Sequence, residues 1–237
     1  MIVIPAVDLR DGACVQLVGG NVADERIRLA DPLAAALRWV ELGFRRLHVV
    51  DLDAAMGGRA NDREVELIVR SVNADIQVGG GVRCAERIDE LLAAGAQKVV
   101  VGTRAIEERE WLAEQTSRHP GRIIVAADVR GRNVSVRGWT RTLARDVVDE
   151  VRRMSHLELG GVLVTAVDVE GQMLGPALDL TEDIVRATTL PVIASGGIGR
   201  IEDLHALAAR GVSAVVVGMA LYTNTLDARQ VAQEFCA

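Results

Sequence analysis

The stretch QVGGGVRCAERIDELLAAGAQKVVVGTRAI, residues 77–106, is answered later in the chain by ASGGIGRIEDLHALAARGVSAVVVGMALY, residues 194–222. Each sets a glycine pair after a short apolar run, continues with apolar residues at helical spacing, and closes on Val-Val-Val-Gly. Aligning Gly80 with Gly196 gives an offset of 116 (196 − 80). The same offset superposes Gly81 on Gly197, Glu86 on Glu202, Leu91 on Leu207, Gly95 on Gly211 and Gly102 on Gly218. A constant, gapless offset implies that one pair of strand-helix units is a copy of the other.

Working outward from these two stretches, β-branched runs stand at 2–8, 46–52, 74–79, 98–102, 122–128, 161–167, 191–195 and 214–218. Segments with the apolar spacing of an amphipathic helix lie at 31–43, 61–72, 84–95, 109–118, 143–154, 178–188, 200–211 and 227–237. Strands that are continuously apolar belong to a sheet covered on both faces, and strict strand-helix alternation makes that sheet parallel. Eight such units in 237 residues predict a single α/β domain over residues 1–237, a (β/α)8 TIM barrel with internal half-barrel duplication. The third and fourth units then correspond to the seventh and eighth. A doubly wound open sheet is the alternative, but no GxGxxG follows the first strand.

Composition narrows the function. A net charge of −6, with three Trp, one Tyr and two Phe, argues against a nucleic-acid surface. No apolar run has the length of a membrane span, and the start MIVIPAVDLR lacks the basic residues of a signal peptide, so a cytoplasmic protein is expected. The three cysteines, Cys14, Cys84 and Cys236, are scattered and without CxxC spacing, which speaks against a disulfide framework or a zinc site.

In a TIM barrel the ligand binds at the C-terminal ends of the strands, where glycines admit a ligand to the backbone and helix N-termini offer N–H groups to an anion. Gly80 and Gly81 with Gly102 and Thr103 form one expected phosphate cradle; Gly196 and Gly197 with Gly218 and Met219 form the other. Two cradles on opposite sides of one mouth suggest a small-molecule substrate with a phosphate at each end. The first strand ends in Asp8 and the fifth, its half-barrel counterpart, in Asp128. Two carboxyls in different surroundings can divide acid and base work, although a strand-end aspartate can also be a loop cap.

The motifs IPAVDLRDG (4–12), LHVVDLDAA (47–55), QVGGGVR (77–83), VVVGTRAIE (99–107), AADVRG (126–131), RGWT (137–140), ASGGIG (194–199) and VVVGMALY (215–222) resemble those of the ProFAR isomerase family of histidine biosynthesis over essentially the whole chain. The resemblance implies a (β/α)8 barrel that turns the aminoaldose ProFAR into the aminoketose PRFAR by an Amadori rearrangement, without cofactor or metal; a monomer is expected. It further implies Asp8 as general base, Asp128 as general acid, Thr165 as a residue holding the reacting sugar, and Trp139 as a mobile ring stacking on the aminoimidazole. His48 and Asp51 match positions near the family's site, though His48 is equally readable as a satisfied core group.

Departures from the pattern stand beside the matches. After the sixth strand the chain reads TAVDVEGQML (165–174), with Glu170 where the family has Asp and with Ala166 and Val169 replacing polar residues. Gln16 stands where the family usually carries a basic residue, leaving Arg10 or Arg83 to supply the missing contact. Arg137 matches an arginine of the bifunctional branch that also isomerises phosphoribosylanthranilate, pairing there with the substrate carboxylate; a solvated loop charge is the other reading. The cyclase subunit of imidazole glycerol phosphate synthase shares the duplicated barrel, but IPAVDLRDG and RGWT favour the isomerase.

Overall fold

The computed structural model of the protein describes residues 1–236. Its central strands are β1 (Ile2–Arg10), β2 (Arg46–Asp51), β3 (Asp75–Gly79), β4 (Lys98–Val101), β5 (Ile123–Ala126), β6 (Gly161–Thr165), β7 (Val192–Ser195) and β8 (Ala214–Val217). They pair in parallel in chain order. β8 returns to β1, with Ile2 opposite Ala214 and Pro5 opposite Val217, and the sheet closes into a (β/α)8 barrel. The outer ring comprises α1 (Pro32–Glu41), α2 (Asp62–Ser71), α3 (Ala85–Ala94), α4 (Arg109–Arg118), α5 (Val147–Met154), α6 (Leu178–Ala187), α7 (Ile201–Ala209) and α8 (Ala228–Phe235).

Local chemistry sets these boundaries. Asp31 caps α1 by accepting from the Ala34 N–H at 3.0 Å, with Pro32 at the first helical position, where a missing N–H costs nothing. Gly95 ends α3 in the left-handed region that favours glycine. None of the helices among the described residues is long and apolar enough to cross a membrane.

The two-residue period of the strands divides the core. Ile4, Ala6, Val100, Ile124, Leu163, Ile193, Ala214 and Val216 fill the barrel interior. Alternate residues such as Val3, Val7, Val99, Val101, Val125 and Val215 face the larger layer between barrel and helices. Burial on both faces is why these strands carry no polar alternation.

Two elements depart from simple alternation, and both follow an aspartate-bearing strand. Past Pro5, β1 leaves β8 and pairs instead with an antiparallel hairpin, Ala13–Val18 and Asn21–Leu29, with Asp8 opposite Val15. After β5, residues 134–142, which carry the RGWT motif, lie within a three-stranded antiparallel sheet of Val129–Arg130, Asn133–Val136 and Arg141–Asp146. The helix expected from residue 143 therefore starts at Val147. Leu143, Val147 and Val148 have helical spacing, but pairing with Asn133–Val136 claims residues 141–146, and Asp146 caps α5 by accepting from the Val148 N–H. The hairpin and the small sheet meet over the mouth, where the Trp139 ring packs on Gly20.

Candidate active site

The inward rows that fill the barrel continue upward into polar groups. Ile4 and Ala6 on β1 lead to Asp8; Ile124 and Ala126 on β5 lead to Asp128, just past the end of that strand; Leu163 on β6 leads to Thr165. The Ser135 N–H donates to the Asp128 carbonyl at 2.7 Å, which ties the acid to the small sheet. On β2 the same parity places His48 and Val50 in the wall of the mouth.

Burial shapes the electrostatics. Desolvation pushes the Asp8 carboxyl up to about 7, against the pull of one hydrogen bond from Gln16 Nε2 at 3.1 Å. Asp128 is also raised by burial, although the Trp139 Nε1–H donates to its Oδ2 at 2.7 Å and the Thr165 hydroxyl bonds it as well. A third carboxyl, Glu170, is raised to about 8 by desolvation and then by the charges of Asp8 and Asp128. His48 is held neutral, its pKa lowered to about 4 by burial. Gln77 Nε2 donates to His48 Nδ1 at 2.8 Å, leaving the ring proton on Nε2.

The glycine pairs adopt matching left-handed turns: φ is 94° at Gly80 and 95° at Gly196, then 69° at Gly81 and 79° at Gly197. A Cβ at Gly80 would lie 2.2 Å from the Asp51 carbonyl oxygen, and one at Gly197 2.2 Å from that of Gly175. These turns are therefore pressed against the preceding loops, and only glycine fits. Gly102 and Gly218 each open a short helix, Thr103–Glu107 and Met219–Tyr222. The first cradle lines a cavity of about 230 Å³ that also holds Arg83, Thr103, Asp128, Arg137, Trp139 and Thr165. The second lines a cavity of about 20 Å³ with Glu170 and Met219.

The closed barrel thus carries one carboxyl at the end of β1 and another after β5, together with two matching glycine turns. Residues 2–227 match the model of the family described as histidine biosynthesis protein. The chain belongs to the histidine biosynthesis protein family. Similar members include proteins of Gemmatimonas aurantiaca, 53% identical over 237 residues and covering 100% of both chains, and of Myxococcus xanthus, 51% identical over 236 residues and covering 99% of both. A protein of Natronomonas pharaonis is 43% identical over 231 residues, covering 97% of this chain and 96% of its own. All three carry the name 1-(5-phosphoribosyl)-5-((5-phosphoribosylamino)methylideneamino) imidazole-4-carboxamide isomerase, the systematic name of ProFAR isomerase.

In this member of the histidine biosynthesis family the expected residues do not all converge. Asp51 caps the Leu52–Ala55 helix and accepts from both the backbone and side-chain amides of Asn61, so its carboxylate is committed to the loop. Neither arginine expected to replace the basic residue at position 16 is free: Arg10 pairs with Glu25 at 2.8 Å, and Arg83 donates to the carbonyls of Ala54 and Ala55. Arg137 gives its backbone N–H to the Thr103 hydroxyl at 2.7 Å, while its guanidinium lies 3.4 Å from Glu107 at the exposed rim. Three groups drew little or no attention in the sequence: the His48–Gln77 pair, Ser135 in the cavity wall, and the seat of Trp139 on Gly20. Parity with the core rows was the available signal for Gln77, two residues before Gly79 on β3.

Proposed function

We propose that the chain is an aldose–ketose isomerase that converts ProFAR to PRFAR, with Asp128 as acid and Asp8 as base. The observation that supports this reading most is the pair of desolvated carboxyls at the barrel mouth, set between two glycine cradles. Asp128, whose pKa burial raises from the usual carboxylate range, gives a proton to the ring oxygen as the ribose opens to a Schiff base. Asp8, which titrates at about 7, is ionised in an appreciable fraction near neutrality and removes the C2 proton, giving an enolamine. Protonation at C1 and loss of the O2 proton complete the ketose, so the reaction takes up no net proton and needs no redox partner. Asp8, Asp128 and Glu170 titrate as a coupled set, in which Glu170 keeps its proton at neutral pH.

The cradles hold the two phosphates through backbone N–H groups, with Arg83 and Thr103 at the rim of the first and Met219 flooring the second. Thr165 and Trp139, both bonded to Asp128, orient it toward the sugar. A spectrophotometric assay with ProFAR, coupled to the cyclase, tests the reading, and no turnover by folded protein overturns it. Gly102→Ala probes the first cradle: an added Cβ would meet only Ala126 Cβ, at 3.9 Å, and because φ −97° and ψ −106° lie outside the regions alanine favours, circular dichroism is read beside the kinetics. It is expected to raise KM about tenfold with kcat within about threefold. An unchanged KM in steady-state kinetics removes Gly102 from the phosphate site.

Phosphoribosylanthranilate isomerisation is the weaker reading. The Arg137 side chain is engaged by Glu107, and position 16 is a neutral amide. Complementation of strains lacking either isomerase is expected to restore growth without histidine but not without tryptophan.

A further inference from the structure

Gln16 sits on the inner strand of the hairpin that grows from β1, and is 3% exposed. Its amide nitrogen donates to Asp8 Oδ2 at 3.1 Å and to the Val15 carbonyl at 2.9 Å, which uses both of its protons. Rotating the amide by half a turn would set its oxygen against a carboxylate and a carbonyl, so the orientation is fixed by the two acceptors. The oxygen then projects toward the second cradle, 2.2 Å from where a Cβ at Gly218 would stand. Glycine at 218 makes room for the amide.

The remaining groups around Asp8 offer it no alternative donor. Glu170 approaches from the loop after β6 and is itself acidic. From the hairpin, the Cys14 thiol meets the Tyr222 hydroxyl at 3.2 Å; from the helix after β8, that hydroxyl donates to the Ala6 carbonyl at 2.8 Å. Asp128, across the mouth, is engaged by Trp139 and Thr165. Among the described residues Gln16 is the one side chain that donates a hydrogen bond to Asp8, and no cation is bonded to it.

We propose that Gln16 is the positioning residue of Asp8: its amide aims the carboxylate and governs its proton affinity, and Gly218 provides the space in which that amide is locked. This rests on the reading of Asp8 as the base. A neutral donor favours the ionised form less than a cation would, so Asp8 remains a base of near-neutral strength.

Gln16→Met keeps the length of the side chain and deletes the donor; Gln16→Lys puts a cation in the same place. A carboxyl-carbon NMR titration of the full-length protein, with the Asp8 signal identified by its loss in Asp8→Asn, reads the proton affinity without reference to turnover. The Met variant is expected to move the Asp8 midpoint up by about one pH unit, and the Lys variant to move it down. In kcat/KM against pH, the acid limb of the Met variant moves up in step. Activity falls about tenfold below neutrality and returns to within about threefold of wild type near pH 9, with KM little changed. An unmoved midpoint, or a loss of activity equal at every pH, overturns the proposal. Should Asp8→Asn retain activity while the Met variant still moves the midpoint, the role of Asp8 as base fails and the positioning by Gln16 stands.

Discussion

Asp128→Asn is expected to lower kcat for ProFAR by about three orders of magnitude, and Asp8→Asn by a comparable factor, with the fold and product affinity nearly intact. The amide is isosteric with the carboxyl, so the contacts around each position survive the change. The Trp139 Nε1–H that now reaches Asp128 Oδ2 at 2.7 Å can donate to an amide oxygen, and so can Gln16 Nε2 at position 8. What is lost is the proton donor at position 128 and the proton acceptor at position 8. In the proposed arrangement neither residue binds ground-state phosphate, which is assigned to the backbone N–H groups of the glycine turns. The loss therefore falls on kcat rather than on KM. Coupled kinetics, calorimetric binding of PRFAR and circular dichroism separate these effects. Turnover within about tenfold of wild type in either variant removes that residue from the proton transfers. The pH profile of the wild type carries a second signature: kcat/KM rises through pH of about 7 as Asp8 ionises, and falls where the acid loses its proton.

The barrel was legible because its determinants are local and repeated. Continuous apolar strands, amphipathic helices between them and the gapless offset from Gly80 to Gly196 led to the same architecture, and the observed strands fall within a few residues of those expected. The two aspartates were legible for a related reason: each extends an inward row, Ile4-Ala6-Asp8 or Ile124-Ala126-Asp128, by one further step. The hairpin after β1 and the small sheet after β5 were harder. Of their strands, NVADERIRL and RTLARD mix charged and apolar residues without strong alternation, and they are held by antiparallel pairing within the hairpin and within the small sheet rather than by a pattern visible in one segment. The environment of Asp51 was hidden for another reason. Its partner Asn61 lies ten residues away, and only the folded loop brings the two together.

The half-buried carboxyl of Glu170 carries the clearest consequence for stability. Its pKa is raised from 4.5 to about 8, first by desolvation and then by the nearby charges of Asp8 and Asp128. At pH below about 4.5 the folded and unfolded chains both hold the proton, and Glu170 costs nothing. Between about 4.5 and 8 the unfolded chain has released the proton while the folded one retains it, so stability falls with each pH unit. Above about 8 the folded protein must ionise a third carboxyl beside two others, and the full penalty stands, with an upper bound of about 5 kcal/mol. Glu170→Gln removes the ionisation and keeps the shape. Its Tm should match that of the wild type near pH 4.5 and exceed it by about 5–10 °C at pH 9. Glu170 still holds its proton where Asp8 titrates, so the acid limb of kcat/KM is expected to stay in place. Calorimetric scans of both proteins from pH 4.5 to about 9 decide the matter. A Tm difference independent of pH would show that Glu170 ionises as freely in the folded protein as in the unfolded chain, and that the crowding of three carboxyls at the mouth is relieved by water.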